Sequence, residues 1–247
     1  MKIIIDDLAT TYTESGSGSS ILILHGWGSA SSVFDDLIQT LSINHRVVAL
    51  NLPGFGGSEQ PRSTWGVADY SYFVTAFCKK LGIRPDILLG HSLGGQIAVH
   101  IVGNELLDPT KLILIGAAAL RPLPSLRKRG IQGIAKVGKT VLGDSKLGRA
   151  AKRRLYGATG SSEYLDNPAM QPIYRKVITE DQTEVAARID CPTLLLWGND
   201  DTDTPVEQGI QLERLIHGSK LVVNPGGHFI FLDEAEAVQL AIKDFIK

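Results

Sequence analysis

A chain of 247 residues with 43% hydrophobic residues is long enough to bury one large core, and its net charge of −1 gives no reason to expect nucleic acid as a partner. No run approaches the roughly 18 apolar residues of a membrane span. The only cysteines, Cys78 and Cys191, lie far apart and outside any metal-binding spacing. We therefore expect two reduced thiols in a cytoplasmic protein, and the apolar N-terminal run is too short for a signal-peptide core.

Short apolar runs alternate with helical periodicity along the chain, which is typical of a mostly parallel sheet covered by helices. The runs predict eight strands, at residues 3–5, 10–14, 21–24, 47–50, 86–89, 112–115, 193–197 and 220–223. Apolar residues at helical spacing predict helices that include residues 33–41, 70–81, 96–102 and 238–245. Asp233 and Glu236 have the spacing of a capping box at the start of the last helix. The sequence therefore predicts an α/β fold with helices on both faces of the sheet.

Residues 121–187 interrupt this alternation and contain no convincing strand. We predict that they form a helical insertion between two core strands. The insertion carries 13 Lys and Arg against 6 Asp and Glu, so it is strongly basic while the rest of the chain is acidic. Its first half is rich in glycine, which lowers helix stability by about 1 kcal/mol per residue relative to alanine.

The most informative stretch of the chain is Gly90-His91-Ser92-Leu93-Gly94, between a predicted strand and a predicted helix. It has the G-x-S-x-G pattern of a nucleophile elbow, where a strand turns sharply into a helix and exposes one hydroxyl. Glycines are expected on both sides because strand and helix pass too close there for side chains. The pattern alone is weak, since Gly and Ser are common, but its placement makes Ser92 the candidate nucleophile.

A serine hydroxyl needs a base to accept its proton, and that base needs an acid to orient it. His228 lies in a glycine-rich loop after the last predicted strand, at the end of the sheet where active sites of α/β proteins collect. An ordinary surface-loop histidine is the alternative, which we rank second. The loop after the preceding strand offers three candidate acids, any of which could serve: Asp200, Asp201 and Asp203.

Acyl transfer also places negative charge on the carbonyl oxygen, where each preorganised N–H donor is worth roughly 3 kcal/mol. The backbone amide of Leu93, next to the candidate nucleophile, is one expected donor. The second is expected from residues 25–28, which read His-Gly-Trp-Gly and follow a buried strand. Glycines there let the backbone approach a substrate closely, although a plain strand-to-helix turn is the alternative interpretation.

The order His-Gly-x-Gly, Gly-x-Ser-x-Gly, Asp and His resembles the α/β-hydrolase superfamily over essentially the whole chain. Members with Leu-Leu-Trp-Gly-x-x-Asp place the acid three residues after the glycine, so the resemblance implies Asp201 rather than Asp200. It implies His228 as the base, and the backbone amides of Trp27 and Leu93 as the oxyanion hole.

The resemblance also implies how the chain is divided. Residues 1–120 and 188–247 correspond to the hydrolase core, and residues 121–187 correspond to the lid that covers the site in this family. One departure is Asn51, where many relatives have Asp before Leu-Pro-Gly. We expect this difference to affect the anchoring of the loop and not the chemistry.

Together these residues predict a serine hydrolase that cleaves carboxylic esters of small to medium size through an acyl-enzyme intermediate. A hydrolase of C–C bonds in ring-fission products is the second interpretation. Such enzymes usually show Gly-Asn-Ser-Met-Gly-Gly at the elbow and Trp after the catalytic His, whereas Phe229 follows His228 here. A ligand sensor that keeps the same three residues cannot be separated from an enzyme on sequence.

The expected partner is a small-molecule ester, and no metal or organic cofactor is implied, since no ligand cluster or phosphate-binding glycine loop occurs. The basic segment 127–154 suggests contact with an anionic membrane surface. We rank that contact behind a solvated lid face. The sequence does not indicate an oligomeric state.

Overall fold

The computed structural model of the protein describes residues 1–121 and 168–247. The chain forms two compact units, of which the first contains Met1–Arg121 with Pro172–Lys247 and the second contains Pro122–Gln171. Most of the predicted lid, including its basic segment, therefore lies outside the described residues. The described part of that range from Pro172 onward belongs to the same unit as the sheet.

The first unit is built on one eight-stranded sheet. Its strands are β1 Lys2–Ile5, β2 Leu8–Ser15, β3 Ser20–Leu24, β4 Arg46–Leu50, β5 Ile87–His91, β6 Lys111–Ile115, β7 Thr193–Gly198 and β8 Ser219–Asn224. Their spatial order is β1-β2-β4-β3-β5-β6-β7-β8. The pairs β1–β2 and β2–β4 are antiparallel, and all the others are parallel. The predicted mostly parallel eight-stranded sheet is confirmed.

Each of the helices predicted from periodicity is present, and all extend beyond the predicted residues or begin with an extra turn. A 3₁₀ turn at Ser31–Phe34 precedes the first helix, and another lies at Pro168–Met170. The helices of the described residues are α1 Asp35–Leu41, α2 Val67–Leu81, α3 Leu93–Gly103, α4 Gln171–Val177, α5 Thr183–Ala186, α6 Val206–Leu215, α7 Ile230–Asp233 and α8 Ala235–Ile246. None of these helices is long and apolar enough to cross a membrane.

The sheet is covered by helices on both faces, which explains why its central strands are mostly continuous apolar runs. Ile21 and Ile23 belong to the core cluster that contains the buried residues of α1 and α8. Leu22 and Leu24 are equally buried and point to the opposite face, which α2 and α3 cover. Each such side chain contributes roughly 1.5–3 kcal/mol of hydrophobic free energy on burial.

The parallel register places the carboxyl ends of six strands, β3 to β8, at one edge of the sheet. Leu24 pairs with Gly90, His91 pairs with Ile115, and β7 and β8 end together. The loops that follow these strands therefore meet at this edge, as in other open α/β sheets. These loops carry every residue that the sequence indicates as a candidate for catalysis.

The predicted capping box before the last helix is wrong. Helix α8 begins at Ala235 with Glu234 as its N-cap, and no side chain caps it. The carboxylate of Asp233 instead accepts a hydrogen bond from the backbone N–H of Gly227 at 2.9 Å. Asp233 is therefore used to hold the loop that carries His228, through a contact with a residue six positions earlier that the capping-box spacing does not reveal.

Candidate active site

The turn between β5 and α3 has the backbone geometry of a nucleophile elbow. Ser92 has φ 51° and ψ −115°, a conformation that is rare for a residue with a side chain. Its backbone is fixed on both sides, because its N–H donates to Ile115 at 3.1 Å and its carbonyl accepts from Ala118 at 3.0 Å. A side chain on Gly90 would overlap the carbonyl oxygen of Gly94, so the expected steric need for glycine is confirmed.

The predicted acid and base are in direct contact. His228 Nδ1 lies 2.8 Å from Asp201 Oδ2. Since a carboxylate only accepts hydrogen bonds, Nδ1 carries the hydrogen, and the neutral ring keeps its lone pair on Nε2. This is the tautomer that a general base needs. Asp200 and Asp203, the other candidates for the acid, have exposed side chains.

Four donors surround the buried carboxylate of Asp201. Its Oδ1 accepts the backbone N–H groups of Asp203 and Thr204, each at 2.9 Å, and its Oδ2 lies 2.8 Å from the Thr204 hydroxyl. Burial alone would raise the pKa of Asp201, but the hydrogen bonds from His228 and Thr204 and the charge of the imidazole outweigh it and lower the pKa. Asp201 is therefore held as a carboxylate whose orientation is fixed.

The loops after β3 and β6 lie close to the elbow and to the acid and base. A Cβ on Gly26 would lie 2.9 Å from His91 Nδ1 and 3.0 Å from Ser92 Cβ, so the His-Gly-Trp-Gly loop lies against the elbow. A Cβ on Gly116, in the loop after β6, would lie 3.2 Å from Asp201 Oδ2 and 3.3 Å from His228 Nδ1. Ser92 is partly exposed, and its hydroxyl makes no hydrogen bond within the described residues. Hydrogen bonds between catalytic groups are often long without substrate.

The predicted oxyanion loop is fixed by the buried imidazole of His25. Its Nδ1 lies 2.7 Å from the carbonyl oxygen of Gly26, and its Nε2 accepts the backbone N–H of Leu52 at 3.0 Å. The carbonyl can only accept, so Nδ1 is the donor and the tautomer is determined. Burial lowers the pKa of His25 to about 4, which keeps the ring neutral.

The peptide group between Gly26 and Trp27 is oriented by this contact. No cis peptide bond occurs among the described residues. In a planar trans peptide the N–H points opposite to the carbonyl, so the Trp27 N–H is directed away from the His25 ring. The N–H groups of Trp27 and Leu93 both lack a protein acceptor in the described part of the chain. The Trp27 ring packs on Phe55 and Tyr174, with centroids 4.9 and 5.1 Å apart.

Asn51, which departs from the family pattern, anchors the loop after β4. Its Oδ1 accepts the backbone N–H of Ser31 at 2.6 Å. Its Nδ2 donates to the Thr11 hydroxyl at 2.9 Å and to the Gly56 carbonyl at 3.1 Å. An ionised aspartate has no hydrogen to give to that carbonyl, so this loop uses both sides of the amide.

Several residues that the sequence did not single out support the site. Thr204 and His91 contact the candidate acid and base directly. Gln96 of the elbow helix donates to the carbonyl oxygens of Val177 and Glu180, both at 3.1 Å. The contacts of Thr204 and His91 with His228 join residues 24 and 137 positions apart, and those of Gln96 join residues 81 and 84 positions apart. Periodicity and motif spacing therefore carry no sign of them.

Comparison with known proteins shows that the chain belongs to the alpha/beta hydrolase family, which it matches over residues 21–239. It is 28% identical over 251 residues to the pimeloyl-[acyl-carrier protein] methyl ester esterase of Neisseria meningitidis, with 92% of this chain and 93% of that protein covered. It is 26% identical over 246 residues to the uncharacterized hydrolase YugF of Bacillus subtilis, with 92% and 90% covered.

Solved structures agree with this assignment at the level of the fold. An esterase from Exiguobacterium antarcticum matches with a TM-score of 0.81 and 22% sequence identity, and the match covers 100% of this chain and 98% of that one. The predicted superfamily is therefore confirmed, and the protein is a hydrolase of this family with esterases among its homologues.

Proposed function

We propose that the protein is a serine hydrolase that cleaves carboxylic esters of small to medium size through an acyl-enzyme intermediate. The observation that carries this proposal is the 2.8 Å hydrogen bond between His228 Nδ1 and Asp201 Oδ2, at the sheet edge where the elbow presents Ser92. The chain order Ser, Asp, His is the order typical of this fold. Similarity to a methyl ester esterase supports an ester as the substrate class.

In the acylation step, Ser92 Oγ forms a bond to the ester carbonyl carbon while its proton passes to His228 Nε2. The carbonyl oxygen becomes negatively charged and accepts hydrogen bonds from the backbone N–H groups of Trp27 and Leu93. The bond to the alcohol oxygen then breaks, and that oxygen takes the proton from Nε2. Asp201 stabilises the imidazolium that exists between these two proton transfers.

In the deacylation step, water attacks the acyl carbon and gives a proton to His228 Nε2. The bond to Ser92 Oγ breaks, Oγ recovers the proton, and the carboxylic acid leaves. Both halves use the same base and the same oxyanion donors. No group outside the chain is required to balance protons or electrons in either half.

We further propose that the substrate is a free small molecule and that residues 121–187 cover the site as a lid. We also propose that the protein works in the cytoplasm. Cys78 and Cys191 are both free thiols, which suits a reducing compartment. Burial raises the pKa of Cys78 to about 12, so this thiol is chemically inert at neutral pH.

The test is steady-state hydrolysis of p-nitrophenyl esters of increasing acyl length by the wild type, Ser92→Ala and a control, Ser63→Ala. Ser63 is exposed and distant from the elbow in sequence. We expect sustained turnover by the wild type and the control, and a loss of about 10⁴-fold or more in Ser92→Ala. A fluorophosphonate should add one adduct, located on Ser92 by peptide mass spectrometry. Labelling elsewhere, or full activity of Ser92→Ala, would contradict the proposal.

Two other outcomes identify the competing functions. A burst of one equivalent of p-nitrophenol without further turnover would indicate a sensor that is acylated once. Sustained cleavage of a ring-fission dienoate together with no ester turnover would indicate the C–C bond hydrolase. Either result would exclude the ester hydrolase.

A further inference from the structure

The residue before the candidate nucleophile hydrogen-bonds to the loop that carries the candidate base. Nε2 of His91 lies 3.0 Å from the backbone carbonyl oxygen of His228. Because a carbonyl can only accept, His91 Nε2 carries the hydrogen and donates it. The His91 side chain is therefore used as a hydrogen-bond donor between two parts of the chain that are 137 residues apart.

Within the described residues, this is the one hydrogen bond that the His91 ring makes. His91 is 1% exposed, and burial lowers its pKa to about 3. Its Nδ1 is buried and has no hydrogen-bond partner among the described residues. The surrounding rings are aromatic, with centroids of Phe229 and Phe231 at 5.1 and 5.0 Å and that of Phe34 at 6.4 Å. An imidazole enclosed in this way has one orientation in which its N–H is satisfied.

We propose that His91 is a positioning residue that fixes His228 relative to Ser92. The inference rests on the proposed function. Consecutive Cα atoms are 3.80 Å apart, so the Cα of Ser92 is at a set distance from that of His91. The ring of His91 reaches the backbone of His228, and the two ring centroids are 4.7 Å apart. A single residue thus connects the nucleophile and the base of the same reaction.

The other anchors of the base loop do not make this connection. The N–H of Gly226 donates to Asn199 at 3.2 Å, and the N–H of Gly227 donates to Asp233 at 2.9 Å. Both contacts are exposed; Asn199 directly follows β7, and Asp233 is the last residue of α7. Without the His91 bond the loop would still be attached to its own edge of the sheet, but its carbonyl would no longer be tied to the elbow.

The variants separate the hydrogen bond from the packing of the ring. His91→Gln keeps an N–H near the position of Nε2, whereas His91→Leu fills a similar volume without a donor. We expect His91→Leu to lower kcat about 10- to 100-fold with KM within about twofold, and His91→Gln to recover most of the loss. Phe34→Leu is the matched control, since it disturbs the same aromatic surroundings and leaves the hydrogen bond. Thermal unfolding of all three variants is measured alongside.

A double-mutant cycle with His228→Ala tests whether His91 acts through the base. In the His228→Ala background, His91→Leu should not lower the residual rate further, because the group that it positions is gone. An equal loss in both backgrounds would show that His91 acts elsewhere, for example through Gly26 of the oxyanion loop. Equal losses of kcat in His91→Leu and Phe34→Leu would show a packing role only. Each of these two results would overturn the proposal.

Proton NMR gives a readout that does not depend on turnover. The low-field resonance of the His228 Nδ1–H, hydrogen-bonded to Asp201, should persist in the wild type and His91→Gln and broaden or shift in His91→Leu. An unchanged resonance in His91→Leu would contradict the positioning role. Absence of ester turnover by the wild type would instead refute the proposed function, and the NMR comparison would still decide whether His91 holds His228.

Discussion

Thr204 contacts both oxygens of the Asp201 carboxylate. Its backbone N–H donates to Oδ1 at 2.9 Å, and its hydroxyl lies 2.8 Å from Oδ2. The same hydroxyl is 3.0 Å from the carbonyl oxygen of Gly116 and 3.2 Å from His228 Nδ1. Thr204 is buried, so these contacts are shielded from water and constrain the plane of the carboxylate.

Replacing Thr204 tests how much of this constraint the reaction needs. Thr204→Val removes the hydroxyl and keeps the backbone N–H and the volume, so the hydrogen bond to Oδ2 is lost. A hydrogen bond to a charged group is worth about 1.5–3 kcal/mol, and we expect kcat to fall about tenfold. Thr204→Ser keeps the hydroxyl and should stay within about threefold of the wild type. Equal kcat values for the two variants would show that the hydroxyl has no part in the reaction.

The choice of Asp201 over its neighbour gives a second prediction. Asp201→Asn should lower kcat about 10³- to 10⁴-fold with little change in KM, because an amide can stabilise the wrong tautomer of His228. Asp200→Asn is the matched control, since Asp200 precedes it in the same loop and its side chain is exposed. Steady-state kinetics on a p-nitrophenyl ester measures both variants. A loss in Asp200→Asn as large as in Asp201→Asn would contradict the assignment of the acid.

The fold could be predicted from sequence because both faces of the sheet are buried. Each central strand is then largely a continuous apolar run, and surface helices such as α2 and α8 show an apolar stripe. The runs at residues 21–24 and 112–115 lie within β3 and β6, whose residues in those runs are fully buried. Some predicted strands and helices are shorter than the observed ones. Helix α3, for example, begins at Leu93, three residues before the predicted Gln96.

For the candidate site, the sequence reveals the positions of some residues but not the contacts between them. Ser92 and His228 follow predicted strands, so the parallel topology alone places them at one edge. The contacts of Thr204 and His91 depend on which side chains face each other across separate loops, which no local pattern records. The capping-box prediction at Asp233 is wrong because the N–H of Gly227, six residues earlier, binds its carboxylate. The catalytic roles of these residues stay predictions.

The buried imidazole of His25 leads to a prediction about the oxyanion loop. His25→Leu removes the donor to the Gly26 carbonyl and the acceptor for the Leu52 N–H, so the peptide that presents the Trp27 N–H is no longer oriented. Loss of one oxyanion donor costs about 10²- to 10³-fold in kcat, and we expect a loss of about 10- to 100-fold from misorientation.

Inhibition distinguishes this effect from general damage. A trifluoromethyl ketone adds to the serine and places an oxyanion in the hole, so its affinity should fall in parallel with kcat. The KM for the ester should change little. His217→Gln, a substitution of an exposed histidine, is the control and should match the wild type in both measurements. An unchanged affinity for the ketone in His25→Leu would contradict the predicted role of the loop.

The two buried neutral histidines also contribute to the dependence of stability on pH. Burial lowers the pKa of His25 to about 4 and that of His91 to about 3, from the ordinary value of 6.5. Below pH 6.5 the unfolded chain therefore takes up a proton at each ring, and the folded chain does not until pH falls to about 4 or 3. The free energy of unfolding should consequently fall as pH decreases from about 6.5 toward 4, by up to roughly 1.4 kcal/mol per pH unit for each histidine.

His91→Gln isolates one of these two contributions. The glutamine does not titrate, so the variant should take up about one proton fewer on unfolding between pH 6 and 4.5. The slope of the unfolding free energy against pH should become smaller accordingly, while the contribution of His25 remains. Urea unfolding at each pH provides the free energies. The difference between variant and wild type at pH 8, where both rings are neutral in either state, measures packing and hydrogen bonding alone. A slope equal to that of the wild type would mean that His91 is protonated in the folded protein, which its burial and the nearby imidazole of His228 argue against.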